Sequence, residues 1–428
     1  MKINQIFNSK SIISILLIFQ SFTMLSQSIV IPMDVENQQN HLKAYGIAYF
    51  LLKNNLEVDW LLNYRGGSFL CKYYKEIEKE CIYRGVSYEI KSNIETNSIL
   101  NQISSPNNNY DVVKLEKAPK IAVYSPKNKQ PWDDAVTLVL EYAEIPYDVI
   151  YDNEILNNLL PVYDWLHLHH EDFTGQYGKF YKSFKNASWY IEQKKIFEKE
   201  AKEQGFEKVS KQKLEITKKI KEYTAGGGFL FAMCSATDTY DIALAAEKID
   251  ICEYMFDGDP IEKNVTSKLN YNNTFAFENF ELVTDPMKYE YSNIDMTDKR
   301  RNKITEENDF FTLFEFSAKW DPIPTMLCQN HTKIIKGFIG QTTAFNKDLI
   351  KSNVLIMGEN QSLNEARYIH GVFGLGTWTF YGGHDPEDYK HRIGDPKTEL
   401  MLYPNSPGYR LILNNILFPA AKKKKRKT

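Results

Sequence analysis

The chain has 428 residues, enough for two ordinary domains or for one domain carrying large insertions. Its 43% hydrophobic and 25% charged residues are globular proportions, and an aromatic content of 14% excludes a disordered chain. A net charge of −3 gives no general pull toward nucleic acid or anionic membranes, so nucleic acid is not an expected partner.

Residues 1–26 read as an export signal. Lys2 and Lys10 precede an apolar run from Ile12 to Phe22, with small and polar residues around Ser26. That run is too short to span a membrane comfortably, and no later stretch qualifies as a transmembrane segment. The mature protein is therefore expected to be exported, to a periplasm or a cell surface. Cys71, Cys81, Cys234, Cys252 and Cys328 form no CxxC pair and no metal-type spacing. An odd number in an exported chain leaves at least one free thiol unless it pairs between chains.

A small α/β unit is expected over 27–110. IVIPMD and VDWLLN read as strands around a helix in NQQNHLKAYGIAYFLLKNN, with a turn at Arg65, Gly66 and Gly67. Tyr74–Gly85 and Ile94–Ile103 look helical, with VSYEI as a strand between them. SSPNNNYD, Ser104–Asp111, is polar and turn-rich and is the expected linker. A larger domain is expected over 119–421. KIAVYSP is a strand, PWDDAVTLVLEYAEI a helix begun by Pro131 and acidic residues, and YDVIYD and YDWLHLHHEDF are further strands. Ile191–Tyr223 reads as a long charged helical region. Residues 264–353, with aromatic runs such as FFTLFEFSAKW, read as a β-rich insertion or edge. VLIMGE, RYIHGVFG and TWTFYGG are strands, PGYRLILNNILFPA is a helix, and 422–428 (KKKKRKT) is a basic, solvated tail. Strands alternating with helices predict an α/β fold with a mainly parallel sheet covered on both faces, its sites beyond the carboxyl ends of the strands.

The most informative stretch is GGGFLFAMCSATDTYDIALAA, a strand, a sharp turn at Cys234 and a helix. A cysteine there projects from the end of the sheet beside a helix N-terminus, which favours a thiolate and offers the Ser235 N–H to a developing oxyanion. His384 follows TWTFY through Gly382 and Gly383 and is the expected base, with Asp385 and Glu387 beside it. In LHLHHEDF, strand alternation sets His167 and His169 on one side and His170 and Asp172 on the other. Alternate histidines can hold zinc, which Glu171, Asp172 or His384 would complete, but no HExxH or compact His/carboxylate motif is present and no metal is assigned. The plainer expectation is a pocket wall of His169, His170, Glu171, Asp172 and Gly175. There is no GxGxxG after a strand and no GxxxxGK[ST], so no nucleotide cofactor is expected.

From KIAVYSP to the terminal helix, the chain resembles the class I glutamine amidotransferase-like superfamily. Its end, YIHGVFGLGTWTFYGGHDPEDY followed by PGYRLILNNILFPA, is similar to the ThuA-like branch. The resemblance implies a flavodoxin-like fold, with Cys234 at the nucleophile position and His384 at the histidine position. Members place a glutamate two residues after that histidine, where this chain has Pro386, so Glu387 or Glu171 would have to complete a triad. Over its whole length the chain also resembles exported bacterial proteins often labelled asparagine synthetase B. It has Lys2 where such synthetases carry their N-terminal cysteine, and it has no SGGxDS-type loop. The resulting expectation is thiol-dependent hydrolysis or transfer at an amide or related carbonyl. A non-catalytic module gripping a carbohydrate, a small molecule or a protein is the rival, and a metal-dependent hydrolase around His167 and His169 the third reading.

Overall fold

The structure is a computed structural model describing residues 27–126, 133–300, 302–321, 326 and 328–421. The export segment, the start of the helix at Pro131 and the basic tail lie outside the described residues.

The first sheet contains β1 (Ser28–Ile31), β2 (Val58–Leu62), β3 (Ser68–Lys72), β4 (Glu89–Lys91) and β5 (Asp111–Leu115) in the order β4-β1-β3-β2-β5, with every pair antiparallel. Helix α1 (His41–Lys53) covers one face. On the other face, Ile103 of α3 (Asn93–Ser104) packs against Val30, Leu61 and Leu70, while α2 (Lys75–Arg84) lies between them in sequence. The expected linker ends where β5 begins, so this unit runs past 110 to 115. It does not stand apart from the rest: Ile31, Tyr45 and Trp60 share one hydrophobic core with Ile121, Val139 and Leu411.

The second sheet contains β6 (Ile121–Tyr124), β7 (Asp148–Ile150), β8 (Trp165–Leu168), β9 (Phe229–Met233), β10 (Phe310–Leu313), β11 (Ile334–Lys336), β12 (Phe345–Asn346), β13 (Leu355–Asn360), β14 (Glu365–Phe373) and β15 (Gly376–Tyr381). Its order is β11-β10-β13-β14-β15-β9-β8-β6-β7, with β12 also on β14. The half β15-β9-β8-β6-β7 is parallel and the half from β11 to β15 is antiparallel, so the fold is mixed α/β rather than mainly parallel. The difference lies in the region after 310, whose strands return through tight connections such as Gly374–Leu375 between β14 and β15. Such hairpins need no crossover helix and hence pair antiparallel.

Helices α4 (Ala135–Tyr142) and α8 (Pro407–Leu417) lie on the face shared with the first unit. The opposite face is covered by α6 (Val209–Ala225) and α7 (Ala236–Ala245). The helical region expected over 191–223 consists of α5 (Ser188–Glu203) and α6, separated around Gly205. The aromatic region 264–353 forms few strands. It is largely loop, pinned where Asp241 of α7 accepts the backbone N–H groups of Phe275, Ala276 and Phe277 at 2.7, 2.7 and 3.0 Å. Phe275, Phe277, Phe280 and Phe345 are all buried, which explains the aromatic richness without strand pairing. Among the described residues no helix is long and apolar enough to cross a membrane.

Candidate functional site

The five residues of β9 are all buried, and the chain turns sharply at Cys234, whose φ of 51° is left-handed. That conformation costs a non-glycine residue about 1–3 kcal/mol and persists only where surrounding bonds hold it. Here the Cys234 N–H donates to Gly383 O at 3.2 Å, and the Ala236 N–H at the start of α7 donates to His169 O at 3.1 Å. The elbow is thus tied to the ends of two neighbouring chain segments. Its sulfur accepts the Gln341 N–H at 3.2 Å. Burial nonetheless pushes the thiol up to about 11, outweighing the N–H groups of Gln341, Thr342 and Ser235. This corrects the expectation of a favoured thiolate: the helix N-terminus is present, but the sulfur is buried within it.

His384 follows Gly383, whose φ is 102° and where a Cβ would stand 2.4 Å from the Phe338 ring. Glycine is required there by both conformation and space. The turn aims the imidazole at β8: His384 Nδ1 lies 2.8 Å from His169 Nε2. No hydrogen bond joins the Cys234 sulfur to the His384 ring among the described residues. One nitrogen each of His169, His170 and His384 lie within 4.8 Å of one another. His169 and His170 lie on chain that has already left the sheet at Leu168, so the strand expected through Phe173 stops after four residues.

Three carboxylates not singled out from the sequence organise this cluster and its neighbour His391. Asp134 caps α4, with Oδ1 accepting the N–H groups of Val136 and Thr137 at 2.7 and 3.1 Å. The same carboxylate lies 3.1 Å from His167 Nε2 and 3.4 Å from His169 Nδ1. Burial works to raise the Asp134 carboxyl, and the two histidines outweigh it and hold it well below the usual value. Because a carboxylate only accepts, His169 carries its proton on Nδ1 and presents the Nε2 lone pair to His384. Asp133 lies 2.9 Å from His391 Nε2, and Asp388 lies 2.9 Å from its Nδ1. Hydrogen bonding to these acids raises His391 to about 9 against its burial, and its ring stacks on His384 at 4.9 Å. His384 and His170 are held well below the ordinary histidine value by burial, then by the neighbouring histidines.

The other expected site residues go elsewhere. Glu171 accepts the His169 N–H at 3.0 Å and is pushed up to about 7 by burial; no contact with His384 is formed. Asp172 closes a turn by accepting the N–H groups of Thr174 and Gly178 at 2.7 and 2.9 Å. Gly175, at φ 82°, lets that turn approach Ser210, which a Cβ would meet at 2.7 Å, so it serves packing rather than the pocket around Cys234. Asp385 builds the turn after His384, accepting the Glu387 N–H at 2.9 Å and the Thr398 hydroxyl at 2.8 Å. Glu387 turns toward Ser406, away from His384, so neither proposed carboxylate completes a triad. Ser235 is fully buried, its N–H directed at the Cys234 sulfur. His167 turns its ring nitrogens to Asp134 and to Phe231 O at 3.3 Å, and it does not line the cavity.

His170, Cys234, His384 and His391 open into one cavity of about 560 Å³. It lies at the carboxyl ends of the parallel strands, with Phe180 and Tyr289 among its walls. A larger cavity of about 1410 Å³ sits at the opposite end, beside Phe229 and Gly376 where β9 and β15 begin, and contains none of the histidine cluster. Asp133, Asp134 and His391 were not singled out from the sequence. The available signals were the acidic pair in PWDDAV and a second histidine seven residues after His384.

No family model matches the chain, and no curated protein matches it. Among solved structures, the cytoplasmic protein STM3548 from Salmonella typhimurium is similar over 71% of this chain and 100% of its own, at 10% identity and a TM-score of 0.34. The cytoplasmic protein STM1381 from Salmonella typhimurium LT2 matches over the same shares at 12% identity and a TM-score of 0.34. Gan42B, a GH42 β-galactosidase, matches over 63% of this chain at 10% identity and a TM-score of 0.28, and the match spans only 28% of that enzyme.

Proposed function

We propose that this protein is a metal-dependent hydrolase acting at an amide or related carbonyl, with His169, His170 and His384 as ligands. The observation that carries the reading is the convergence of these three histidines, with the His169 and His384 nitrogens 2.8 Å apart, where His170 and His384 line a cavity of substrate size. Three imidazoles with a fourth position open to a cavity is the donor set of catalytic zinc sites. Bound there, a zinc-like ion would lower the pKa of a water ligand and polarise the carbonyl. A tetrahedral ion with ligands at about 2.0–2.1 Å separates its nitrogens by roughly 3.4 Å, so the His169–His384 pair would open by about half an ångström on loading. Asp134 supplies what such a site needs behind it, a carboxylate fixing the His169 tautomer.

The finer fold reading belongs to the same proposal. The parallel strands follow the order β7-β6-β8-β9-β15, the 2-1-3-4-5 pattern of flavodoxin-like sheets, which supports the amidotransferase-like resemblance. Export through residues 1–26 is part of it as well.

A thiol-dependent reaction is the second reading, favoured by the left-handed turn at Cys234. Metal titration separates the two. EDTA-stripped protein is titrated with Zn²⁺ against a chromophoric chelator, and with Co²⁺ for its visible spectrum. Wild type and Cys234→Ala should bind one ion with a tetrahedral Co²⁺ signature. His384→Ala should lose it, and Asp134→Asn should weaken binding about 10–100-fold. A wild-type dissociation constant weaker than about 10 μM, or an undiminished affinity in His384→Ala, sinks the metal reading.

A further inference from the structure

The walls of the cavity in front of the histidine cluster carry an uneven set of charges. Arg300, Lys390, His391 and Arg392 line it, and no aspartate or glutamate does. Two of these cations are already matched. Arg300 donates Nε to Glu365 at 2.8 Å and Nη2 to Asp309 at 2.5 Å, and His391 is held between Asp133 and Asp388. Lys390 and Arg392, on either side of His391, have no side-chain ion pair among the described residues.

The nearby acids explain why those two stay free. Asp388 turns Oδ2 to His391 and accepts the backbone N–H of Lys390 on Oδ1 at 3.3 Å. Asp395 accepts the backbone N–H of Arg392 at 2.9 Å. Both carboxylates are thus spent on shaping the loop, and neither lines the cavity. The stacking of His391 on His384 sets this loop directly against the cluster. Phe180, Ile304, Ile339 and Ile393 supply apolar wall beside the polar Thr297, Gln341 and Tyr389, and Lys390 and Arg392 are exposed, free to meet an anion entering from solvent.

We propose that Lys390 and Arg392 form an anion subsite of this cavity, so that the substrate carries a carboxylate or phosphate group that they hold while its carbonyl lies at the histidine cluster. The second half of that statement rests on the metal-dependent reading; the anion subsite itself does not. Guanidinium and ammonium groups together suit either oxyanion, the arginine through paired N–H donors and the lysine as a point charge.

The test uses full-length protein stripped of metal, so that an ion at the histidines cannot itself bind the probe. Inorganic phosphate and, separately, glutarate are titrated calorimetrically at low salt into wild type, Lys390→Gln/Arg392→Gln and the remote control Lys219→Gln. Wild type and the control should bind at least one probe, and the double variant should bind it about tenfold or more weakly. Preference for phosphate or for glutarate identifies the oxyanion. Absence of binding in wild type, or equal binding in the double variant, overturns the proposal. Zn²⁺ titration of the same proteins keeps the two readings apart: a double variant that takes up Zn²⁺ normally but has lost the anion supports the subsite. Anion binding that depends on Lys390 and Arg392 in a chain that takes up no Zn²⁺ supports it too, while removing the hydrolase.

Discussion

Two buried histidine clusters sit in this molecule, and only one resembles a site. Where the first unit meets the second sheet, His41 and His331 lie with ring centroids 4.3 Å apart beside the fully buried Arg410. Arg410 donates to the Tyr45 hydroxyl at 2.9 Å, to His331 Nδ1 at 3.0 Å and to the carbonyl of Gly66, while Tyr45 bonds to Asn414. At the carboxyl end of the sheet, His169 and His384 are buried and His170 partly so, and burial depresses His170 and His384 in the same direction. There, however, three ring nitrogens converge, carboxylates stand behind the rings, and a cavity of about 560 Å³ lies in front. Burial and depressed basicity are common to both clusters, so neither diagnoses function. Ring nitrogens converging beside a cavity do.

The sharpest way to break that contrast is to damage the junction and leave the site intact. Arg410→Met keeps an unbranched stem but removes every donor, stranding the Gly66 carbonyl and the Tyr45 hydroxyl among buried groups. Each orphaned acceptor costs about 1–3 kcal/mol, so urea denaturation should show a loss of roughly 3 kcal/mol. Zn²⁺ affinity of the folded variant should be unchanged. A loss below about 1 kcal/mol would mean that the junction is not the polar keystone described here.

Acid separates the clusters next. Burial, then repulsion from Arg410, depresses His41 to about 3 and His331 to about 2. Depressed values mean that the folded state prefers neutral rings. The stability they contribute is whole above the unfolded histidine pKa of about 6.5 and is lost as pH falls from there toward about 3, by up to about 1.4 kcal/mol per pH unit for each ring. Replacing His331 by Asn should therefore flatten the fall of stability between pH 6.5 and 5, by at most about 2 kcal/mol at pH 5. A slope identical to wild type would show that His331 is protonated or solvated in the folded protein.

How much of this was legible beforehand follows from how far each feature reaches along the chain. The strands IAVY and FLFAM, the helix α7 and the hairpin of β14 and β15 declared themselves through local periodicity and glycine placement. So did the elbow at Cys234 and the glycine turn before His384, because a sharp turn needs particular residues at particular positions. Register and partnership did not. His384 reaches His169 across 215 positions, Asp134 reaches His167 across 33, and nothing local marks either pair. The antiparallel half of the second sheet was hidden for a related reason. Its short strands are separated by loops whose aromatic residues serve the core, so composition resembled a β-rich insertion. Glu171, Glu387 and Asp385 were plausible by chemistry alone, and the structure uses each on nearby backbone or hydroxyl groups instead.

The smallest expected effect concerns the elbow itself, the feature that sequence and structure share. At φ 51° an alanine carries the same left-handed strain as the cysteine, whereas a glycine carries none. Cys234→Gly should therefore be more stable than Cys234→Ala by about 1 kcal/mol, even though glycine buries less apolar surface and loses more chain entropy on folding. At an ordinary buried position the order would be reversed. Paired thermal or urea denaturation of the two variants measures the difference. If alanine proves the better substitute, the backbone at Cys234 is not held left-handed, and the turn loses the one mark that separates a nucleophile elbow from an ordinary buried cysteine. If glycine is better and both variants still bind Zn²⁺ as wild type does, the elbow is a strained support that ties α7 to His169 and Gly383, and the histidine cluster beside it holds the chemistry.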